Sequence, residues 1–284
     1  MRLLLCTDLD RTLLPNGSQQ ESERARETFS LLVSRPQVTL VYVTGRDKSL
    51  VQQAIADFHI PQPDFVIADV GSTIYKIKNN SWQHWPSWDK EIADDWQGKS
   101  HDEIHALLAG FEDLQLQEQD RQKTHKLSYY LPLQINPAVL IENIQQQLQK
   151  HQILANLVWS IDEQAGNGLL DILPASASKR HAIEFLMQQL QYDLKETVFA
   201  GDSGNDLSVL VSPIQSVLVA NASDDVKVKA REEAEINKQQ ETLYVASGDC
   251  CGMNGNYSAG IIEGVLHYMP QMKILIERDE ENDE

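Results

Sequence analysis

The apolar residues of this chain fall into short continuous runs, separated by longer stretches in which they recur every three or four positions. Runs at residues 3–6, 38–43 and 64–68 have the length and continuous apolar character of strands that are buried on both faces. The stretch from Glu21 to Ser34 has helical spacing, and so does a second stretch, which follows Thr44-Gly45-Arg46 and ends at Phe58. The order strand, helix, strand, helix, strand predicts a parallel sheet covered by helices on both faces.

A different pattern occupies the residues between about 79 and 168. Tryptophans stand at positions 82, 85, 88, 96 and 159, and a glutamine-rich helix is predicted from Pro137 to His151. Apolar and polar residues alternate in two predicted strands, Lys126 to Leu131 and Leu154 to Ile161. Alternation with short spacing is typical of an antiparallel sheet. We therefore expect a second domain, with helices on one side of its sheet, inserted into the first.

The first pattern resumes after this insertion. It predicts strands at Leu169 to Pro174, Thr197 to Ala200, Ser216 to Ala220 and Leu243 to Ala246, and helices at Lys179 to Leu190 and Ser258 to Met269. The core sheet is then expected to have about six strands. The predicted fold is α/β: a doubly wound, mostly parallel, Rossmann-like core of residues 1–78 and 169–284, with an inserted α+β cap of residues 79–168.

Composition limits the classes of function. The 284 residues are 42% hydrophobic, which is enough for a sizeable core, and three cysteines without CxxC spacing disfavour a disulfide framework or a zinc site. No apolar run approaches the roughly 18 to 20 residues of a membrane span. The first 15 residues do not resemble a signal peptide either, because Asp8 and Asp10 would lie in its apolar core. We therefore expect a cytoplasmic protein. The formal net charge of -18 disfavours nucleic acid and anionic membranes as partners. Part of that charge lies in residues 277–284, a predicted solvated end.

Four polar features follow predicted core strands or begin a core helix. They are Asp8-x-Asp10-x-Thr12, Thr44-Gly45-Arg46, Lys179, and Gly201-Asp202-Ser203-Gly204-Asn205-Asp206. Because the carboxyl ends of strands in a doubly wound sheet share one edge, we expect these features to converge on one crevice. Aspartates brought together there would repel one another electrostatically. A bound cation that prefers oxygen ligands, Mg²⁺ above all, would neutralise this repulsion. Lys179, Thr44 and the main-chain amide at Gly45 would complement a phosphate.

Two carboxylates one residue apart permit a division of labour. Asp8 can attack phosphorus and form an aspartyl-phosphate, while Asp10 protonates the leaving oxygen and later activates water. Arg46 has three open interpretations: it contacts phosphate, it contacts the cap, or it pairs with an acid. Lys126 shares one strand face with Ser128 and Tyr130, and this face either lines a polyol pocket or belongs to an ordinary amphipathic strand.

The four motifs together, in this order over about 200 residues, resemble those of the haloacid dehalogenase-like phosphatases with an αβ cap between the second and third motifs. The resemblance implies that Asp8 is the nucleophile, that Asp10 is the general acid and base, and that Lys179 steadies the charge on the nucleophile and the phosphate. It further implies that Thr44 is a phosphate ligand, that Asp202 holds Mg²⁺ beside Asp8 and the main-chain oxygen of Asp10, and that Asn205 and Asp206 support the metal or its waters. The full set of candidates for phosphate or substrate contacts is Thr44, Gly45, Arg46, Asn205 and Lys126, and the candidates for the metal are Asp8, Asp10, Asp202 and Asp206.

More narrowly, the chain is similar to the sucrose-phosphate phosphatase branch. The similar segments are residues 64–72, 126–131, 170–174 and 257–262. This resemblance implies a Mg²⁺-dependent phosphomonoesterase that converts sucrose 6-phosphate to sucrose and phosphate. The alternatives are a phosphatase for another glycosyl phosphate, such as glucosylglycerol phosphate or a mannosyl phosphate, a non-catalytic sugar-phosphate-binding partner of a synthase, or a phosphotransferase. We expect a monomer that binds a small sugar phosphate, with association with a sugar-phosphate synthase as a further expectation.

Overall fold

The computed structural model describes residues 2–162, 166–248 and 250–277 of the chain. A solvated end is predicted for residues 277–284, and residues 278–284 lie outside the described part. The described strands are β1 (Leu3–Thr7), β2 (Val38–Val43), β3 (Phe65–Ala68), β4 (Thr73–Lys78), β5 (Ser81–His84), β6 (Gln115–Leu116), β7 (Leu127–Leu131), β8 (Ala155–Asp162), β9 (Asn167–Pro174), β10 (Thr197–Gly201), β11 (Gln215–Leu218) and β12 (Leu243–Val245).

The described α-helices connect and cover these strands. They are α1 (Ala25–Val33), α2 (Lys48–Phe58), α3 (Pro86–Ala93), α4 (His101–Leu107), α5 (Pro137–Lys150), α6 (Lys179–Leu190), α7 (Leu207–Leu210), α8 (Asp224–Ile236), α9 (Ser258–Tyr268) and α10 (Lys273–Glu277). Helix α1 begins four residues later than the sequence predicts, because Arg24 at its N-terminal cap has a left-handed backbone with φ of 60°. No described helix combines the length and apolar character needed to cross a membrane.

The larger sheet has eight strands in the order β12-β11-β10-β1-β2-β3-β4-β5. Its first six strands are parallel, and β4 and β5 extend it antiparallel. This confirms the predicted α/β class with a mostly parallel sheet and adds two strands to the expected six. The chain order reverses between β1 and β10, which is the switch point where doubly wound sheets bind their ligands.

The first strand is buried along its whole length because both faces of the sheet are covered. Leu3 and Leu5 belong to a hydrophobic cluster on one face, with residues of α1 and α9. Leu4 and Cys6 belong to a second cluster on the other face, with residues of α6. Alternate residues of a strand point to opposite faces, so a continuous apolar run is what this environment requires.

A smaller antiparallel sheet has the order β6-β7-β9-β8 and a hydrophobic cluster of its own, which includes Tyr129, Ile144 and Leu170. Helix α5 packs on this sheet, as expected for the cap. The expectation that the core pattern resumes at Leu169 is wrong for the strand Leu169 to Pro174. This strand pairs with β7 and β8, because its alternating burial suits a sheet covered on one face.

The division of the chain into core and cap remains a prediction, since sheet membership alone does not define a domain. The larger sheet includes β5 at Ser81–His84, beyond the expected boundary at residue 78. Trp88 and Ile92 of α3 are buried in the cluster that covers the larger sheet. The return from the smaller sheet comes after Pro174, five residues before Lys179.

Candidate active site

Three buried aspartates meet at the switch point of the larger sheet. Asp8 directly follows β1, and Asp202 directly follows the neighbouring β10, so adjacent parallel strands place both at one edge. Asp206 is four residues further along, in the turn that leads into α7. Carboxylate oxygens of these three residues all lie within 4.8 Å of one another. The sequence therefore predicts correctly that widely separated aspartates converge here.

Lys179 is the first residue of α6, as predicted, and its side chain is almost completely buried. Its ammonium group donates to Oδ1 of Asp8 at 2.8 Å, to Oδ1 of Asp206 at 2.7 Å and to Oδ1 of Asn205 at 3.2 Å. The Ser178 side chain caps the helix by accepting from the main-chain nitrogen of His181. One buried cation thus connects three of the predicted site residues.

Gly71 is a site-positioning residue to which the sequence analysis assigns no role. Its φ is +99°, and a Cβ atom at this position would lie 2.4 Å from the main-chain carbon of Ser178. The main-chain oxygen of Gly71 accepts a hydrogen bond from the buried indole of Trp88 at 3.1 Å. A side chain at residue 71 would therefore push away the start of α6, which carries Lys179.

The electrostatics of this cluster favour an additional cation. Burial raises the pKa of the Asp8 carboxyl, and the Lys179 ammonium opposes this rise only in part. Burial and the neighbouring Asp206 raise the pKa of Asp202 to about 6. Burial lowers the pKa of Lys179, but Asp206 and Asp8 raise it by more, so the ammonium stays charged. Three buried carboxylates face this single buried ammonium.

These residues fit a Mg²⁺ ion. The donors are all oxygens, they are close enough to share one cation, and a divalent ion would neutralise the excess negative charge. Thr12 supports the arrangement, because its hydroxyl donates to Oδ1 of Asp202 at 3.2 Å. Both Asp202 and Ser203 donate main-chain hydrogen bonds to Oδ2 of Asp206 at 3.2 Å, which fixes that carboxylate.

The side chain of Asp10 points to a different partner from that of Asp8. Arg46 donates two hydrogen bonds to it, from Nε at 2.8 Å and from Nη2 at 2.6 Å, and Asn16 adds a third at 2.7 Å. Burial raises the pKa of Asp10, but these hydrogen bonds and the Arg46 charge outweigh it and hold the pKa below its ordinary value. Of the three open interpretations of Arg46, the structure shows the pair with an acid.

The remaining predicted phosphate ligands line a cavity of about 350 Å³ together with the acids. Its lining includes Asp8, Asp10, Thr44, Gly45, Arg46, Asp202 and Asn205. Thr44 follows β2 next to β1, which explains its position beside the nucleophile candidate. The cavity is concave and has cations, hydroxyl groups and main-chain amides beside a carboxylate cluster, which suits a phosphate monoester.

Three predicted site residues, Lys126, Lys179 and Asp206, are not among the residues that line this cavity. Lys179 and Asp206 still belong to the carboxylate cluster, because Lys179 bonds both Asp8 and Asp206, whereas Lys126 has other partners. Its ammonium lies 3.4 Å from Oδ1 of Asp69 and 3.4 Å from Oδ2 of Asp171. Ser128 on the same strand face is also buried and donates to Asp171 at 2.6 Å. Lys126 therefore joins the segment before β7 to the segment after β3 and to β9, and its contact with substrate remains a prediction.

Two residues near the motifs, Asn16 and Arg11, contact the site aspartates, which the sequence does not indicate because the conformation of the loop decides their partners. Asn16 bonds both the Asp10 side chain and the main-chain nitrogen of Arg11. Arg11 itself has a φ of 59°, and its Nε lies 3.6 Å from Oδ2 of Asp202. The Pro15-Asn16-Gly17 sequence indicates a turn, but it does not indicate which side chain the asparagine contacts.

Comparison with known proteins agrees with this geometry. A haloacid dehalogenase-like hydrolase of Nitrosococcus oceani is 48% identical over 280 residues, which cover 99% of this chain and 75% of that protein. Sucrose-phosphatase 1 of Nicotiana tabacum is 27% identical, with 94% of this chain and 59% of that protein covered. Mannosylfructose-phosphate phosphatase of Agrobacterium fabrum is 28% identical, with 93% and 96% covered. The chain thus spans only about three fifths of the tobacco enzyme.

Solved structures and a family model give the same answer. The X-ray structure of the sucrose-phosphatase from a Synechocystis species, in complex with sucrose and phosphate, matches with a TM-score of 0.71 and 26% identity. The match covers 95% of this chain and 99% of that one. The family model described as sucrose-6F-phosphate phosphohydrolase matches residues 1–269. The chain therefore belongs to the sucrose-6F-phosphate phosphohydrolase family of haloacid dehalogenase-like phosphatases, which are phosphoric monoester hydrolases.

Proposed function

We propose that this protein is a Mg²⁺-dependent phosphatase that releases phosphate from a phosphorylated disaccharide, sucrose 6-phosphate, through an aspartyl-phosphate. The observation that carries the proposal is the position of Asp8. Its buried carboxylate is held by Lys179 and shares a cavity with Thr44 and Gly45. A carboxylate in this position has both a fixed orientation and neighbours that complement a phosphoryl group.

In the first step Asp8 attacks phosphorus, and a new bond forms between its carboxylate oxygen and phosphorus. The bond between phosphorus and the sugar oxygen breaks, and Asp10 gives a proton to that leaving oxygen. This role requires Arg46 to release the Asp10 carboxylate, because the pair with Arg46 holds the pKa of Asp10 low and the carboxyl must be protonated to act as an acid. Lys179 donates to Oδ1 of Asp8, so we assign the attack to Oδ2. Because the Asp10 carboxylate is exposed on one side and lies two residues from Asp8, it can reach a leaving group at the cavity mouth.

In the second step water attacks the phosphorus of the aspartyl-phosphate. Asp10 accepts the proton of that water, phosphate leaves, and the Asp8 carboxylate is regenerated. Asp8, Asp202 and Asp206 would hold Mg²⁺. When Mg²⁺ is bound, it would neutralise negative charge on the phosphoryl group. The other site residues orient the phosphate, with Thr44 as a hydroxyl donor and the Gly45 amide beside it.

The substrate part of the proposal rests on the relatives. The names of the tobacco and Agrobacterium proteins specify phosphates of two disaccharides, sucrose and mannosylfructose. The Synechocystis structure holds sucrose and phosphate together. We choose sucrose 6-phosphate because the family model that matches 269 residues carries this substrate in its description.

A substrate panel tests the proposal. Purified protein with Mg²⁺ is given sucrose 6-phosphate, mannosylfructose phosphate, glucosylglycerol phosphate and glucose 6-phosphate, and released phosphate is measured. We expect the kcat/KM for sucrose 6-phosphate to exceed that of the others by about tenfold or more, the discrimination a shaped pocket provides. Equal values on all four would contradict the disaccharide assignment, and a higher value on another compound would reassign the substrate.

A further inference from the structure

Arg11 lies between two residues of the candidate site and has an unfavourable main-chain conformation. Its φ is 59°, in the left-handed region that residues larger than glycine rarely adopt. Asp10 directly precedes Arg11, and Thr12, which follows it, donates from its hydroxyl to Oδ1 of Asp202 at 3.2 Å. A conformation of this kind costs free energy and persists only where neighbouring groups hold it. The groups that hold Arg11 therefore control the two residues on either side of it.

Asn16 holds the peptide group on the N-terminal side of Arg11. Its Oδ1 atom accepts a hydrogen bond from the main-chain nitrogen of Arg11 at 2.8 Å, and its Nδ2 atom donates to Oδ1 of Asp10 at 2.7 Å. Because a peptide group is planar, a fixed N–H of Arg11 also fixes the direction of the main-chain oxygen of Asp10. A single side chain thus orients both the carboxylate and the main chain of Asp10.

Asn221 holds the peptide group on the other side of Arg11. Its side chain is buried, and its Nδ2 atom donates to the main-chain oxygen of Arg11 at 2.6 Å. The N–H of the same peptide group belongs to Thr12 and donates to the main-chain oxygen of Leu9 at 3.3 Å. Both polar groups of the peptide that leads to Thr12 are therefore bonded, and Thr12 in turn contacts Asp202.

The Asn221 side chain is itself anchored on its opposite end. Its Oδ1 atom accepts a hydrogen bond from the main-chain nitrogen of Tyr257, at the start of α9, at 2.8 Å. Tyr257 is completely buried, and its hydroxyl donates to the main-chain oxygen of Gln19 at 3.2 Å. The oxygen of Arg11 can only accept and the nitrogen of Tyr257 can only donate, so a single orientation of the amide satisfies both. Asn221 thus joins the loop after β1 to the start of α9.

We propose that Asn221 is a positioning residue for phosphoryl transfer, which acts together with Asn16 by holding Arg11 in its left-handed conformation. A change in the φ or ψ of Arg11 would move Asp10 and Thr12 relative to their partners. Asn221 acts through the main chain and needs no contact with substrate. The proposal rests on the function proposed above, because Asp10 is the general acid and base of that mechanism.

The first experiment is a double-mutant cycle on kcat for sucrose 6-phosphate in saturating Mg²⁺. The four proteins are the wild type, Asn221→Ala, Arg11→Gly and the variant with both substitutions. Glycine adopts positive φ as readily as negative φ, so glycine at position 11 depends less on the asparagine. We expect Asn221→Ala to lower kcat about tenfold beside arginine and less than about threefold beside glycine. The loss of the Arg11 charge is common to both glycine proteins and cancels.

Asn237→Ala is the matched control for Asn221→Ala. Asn237 follows α8, and its Nδ2 atom donates to the main-chain oxygen of Val211 at 3.3 Å. Its replacement removes a hydrogen bond of the same kind outside the loop after β1, and we expect the kcat of the wild type. Asn16→Ala replaces Asn221→Ala in the cycle if the latter does not fold, because Asn16 is exposed. The loss of kcat is again expected to be larger beside arginine than beside glycine.

The second experiment measures Mg²⁺ binding to the metal-free proteins by isothermal titration calorimetry. Thr12 bonds the predicted metal ligand Asp202, so a displaced Thr12 weakens the metal site. We expect Asn221→Ala to weaken Mg²⁺ binding by more than about threefold beside arginine, and by less beside glycine. If the wild type releases no phosphate from sucrose 6-phosphate, the proposed function fails, while calorimetry still decides whether Asn221 acts through Arg11.

A loss that is larger beside arginine than beside glycine, in either measurement, supports the proposal. The proposal is overturned if the folded Asn221→Ala variant has the kcat and the Mg²⁺ affinity of Asn237→Ala. It is also overturned if the losses beside arginine and beside glycine are equal in both measurements, since Asn221 would then support the fold without acting through Arg11. Circular dichroism and thermal unfolding identify the folded variants.

Discussion

Replacement of Lys179 by methionine tests the electrostatic account of the site. Methionine has a similar length and fits a buried position, but it has no charge and no donor. The change leaves Asp8 and Asp206 without the ammonium that now lies 2.8 and 2.7 Å from them. Both carboxylates are buried, so water cannot replace the lost partner without a rearrangement.

The size of the effect follows from the burial of the pair. Removal of one partner of a buried ion pair costs about 3–5 kcal/mol of unfolding free energy, and two carboxylates lose their partner here. We therefore expect a loss of about 3–5 kcal/mol in EDTA. Added Mg²⁺ is expected to stabilise the variant more than the wild type, since it neutralises the same carboxylates; a ligand at one hundred times its Kd gives about 2.7 kcal/mol.

Urea unfolding followed by circular dichroism, in EDTA and in Mg²⁺, measures these differences. Lys195→Met is the matched control, because Lys195 is exposed, and we expect it to change the unfolding free energy by less than about 0.5 kcal/mol. If Lys179→Met is as stable as Lys195→Met in EDTA, the buried ammonium does not compensate the aspartates. If Mg²⁺ stabilises wild type and variant equally, the cation and Lys179 do not act on the same charges.

Three further predictions concern the metal, the turn between β3 and β4, and the loop after β2. Removal of Mg²⁺ by EDTA stops phosphate release and its return restores it; a rate that is indifferent to Mg²⁺ would exclude the metal site. Gly71→Ala lowers the unfolding free energy by more than about 2 kcal/mol, because alanine is strained at this positive φ and its Cβ atom also clashes with the main chain of Ser178. A melting temperature equal to that of the wild type would contradict this. Asp47 pairs with Arg121 at 2.8 Å, and burial raises its pKa by less than the hydrogen bonds from Ser49 and Leu50 and the Arg121 charge lower it. The ionised Asp47 carboxylate therefore adds to the free energy of unfolding above a pH of about 4, and this contribution is lost as the pH falls through the lowered pKa. We expect Asp47→Asn to flatten the acid side of a plot of unfolding free energy against pH; an unchanged plot would refute the pairing.

The parts of the fold that were predictable are those written in local sequence. The run before Asp8 is apolar because both faces of β1 are covered, and this burial is visible in the local sequence as a continuous apolar run. Helix α6 begins and ends where its spacing predicts, since Ser178 caps it and Gln191 ends it with a left-handed backbone. The convergence of Asp8 and Asp202 follows from the sheet edge alone.

The parts that were not predictable depend on packing between distant segments. The strand Leu169 to Pro174 is apolar enough for either sheet, and only its partners β7 and β8 decide its place. The pair of Arg46 with Asp10 joins residues 36 positions apart. Lys126 has two carboxylate partners on different elements, which no periodicity in its own strand indicates. The close approach of Gly71 to Ser178 is equally invisible along the chain.

The most direct test of the central proposal is chemical trapping of the intermediate. The enzyme is mixed with excess sucrose 6-phosphate and Mg²⁺, quenched in acid within the first turnover, and reduced with borohydride. This treatment converts an aspartyl-phosphate to homoserine, and peptide mass spectrometry locates the change. We predict homoserine at position 8, and its absence from the Asp8→Asn variant. Phosphate release with an unmodified Asp8 in the quenched wild type would contradict the account.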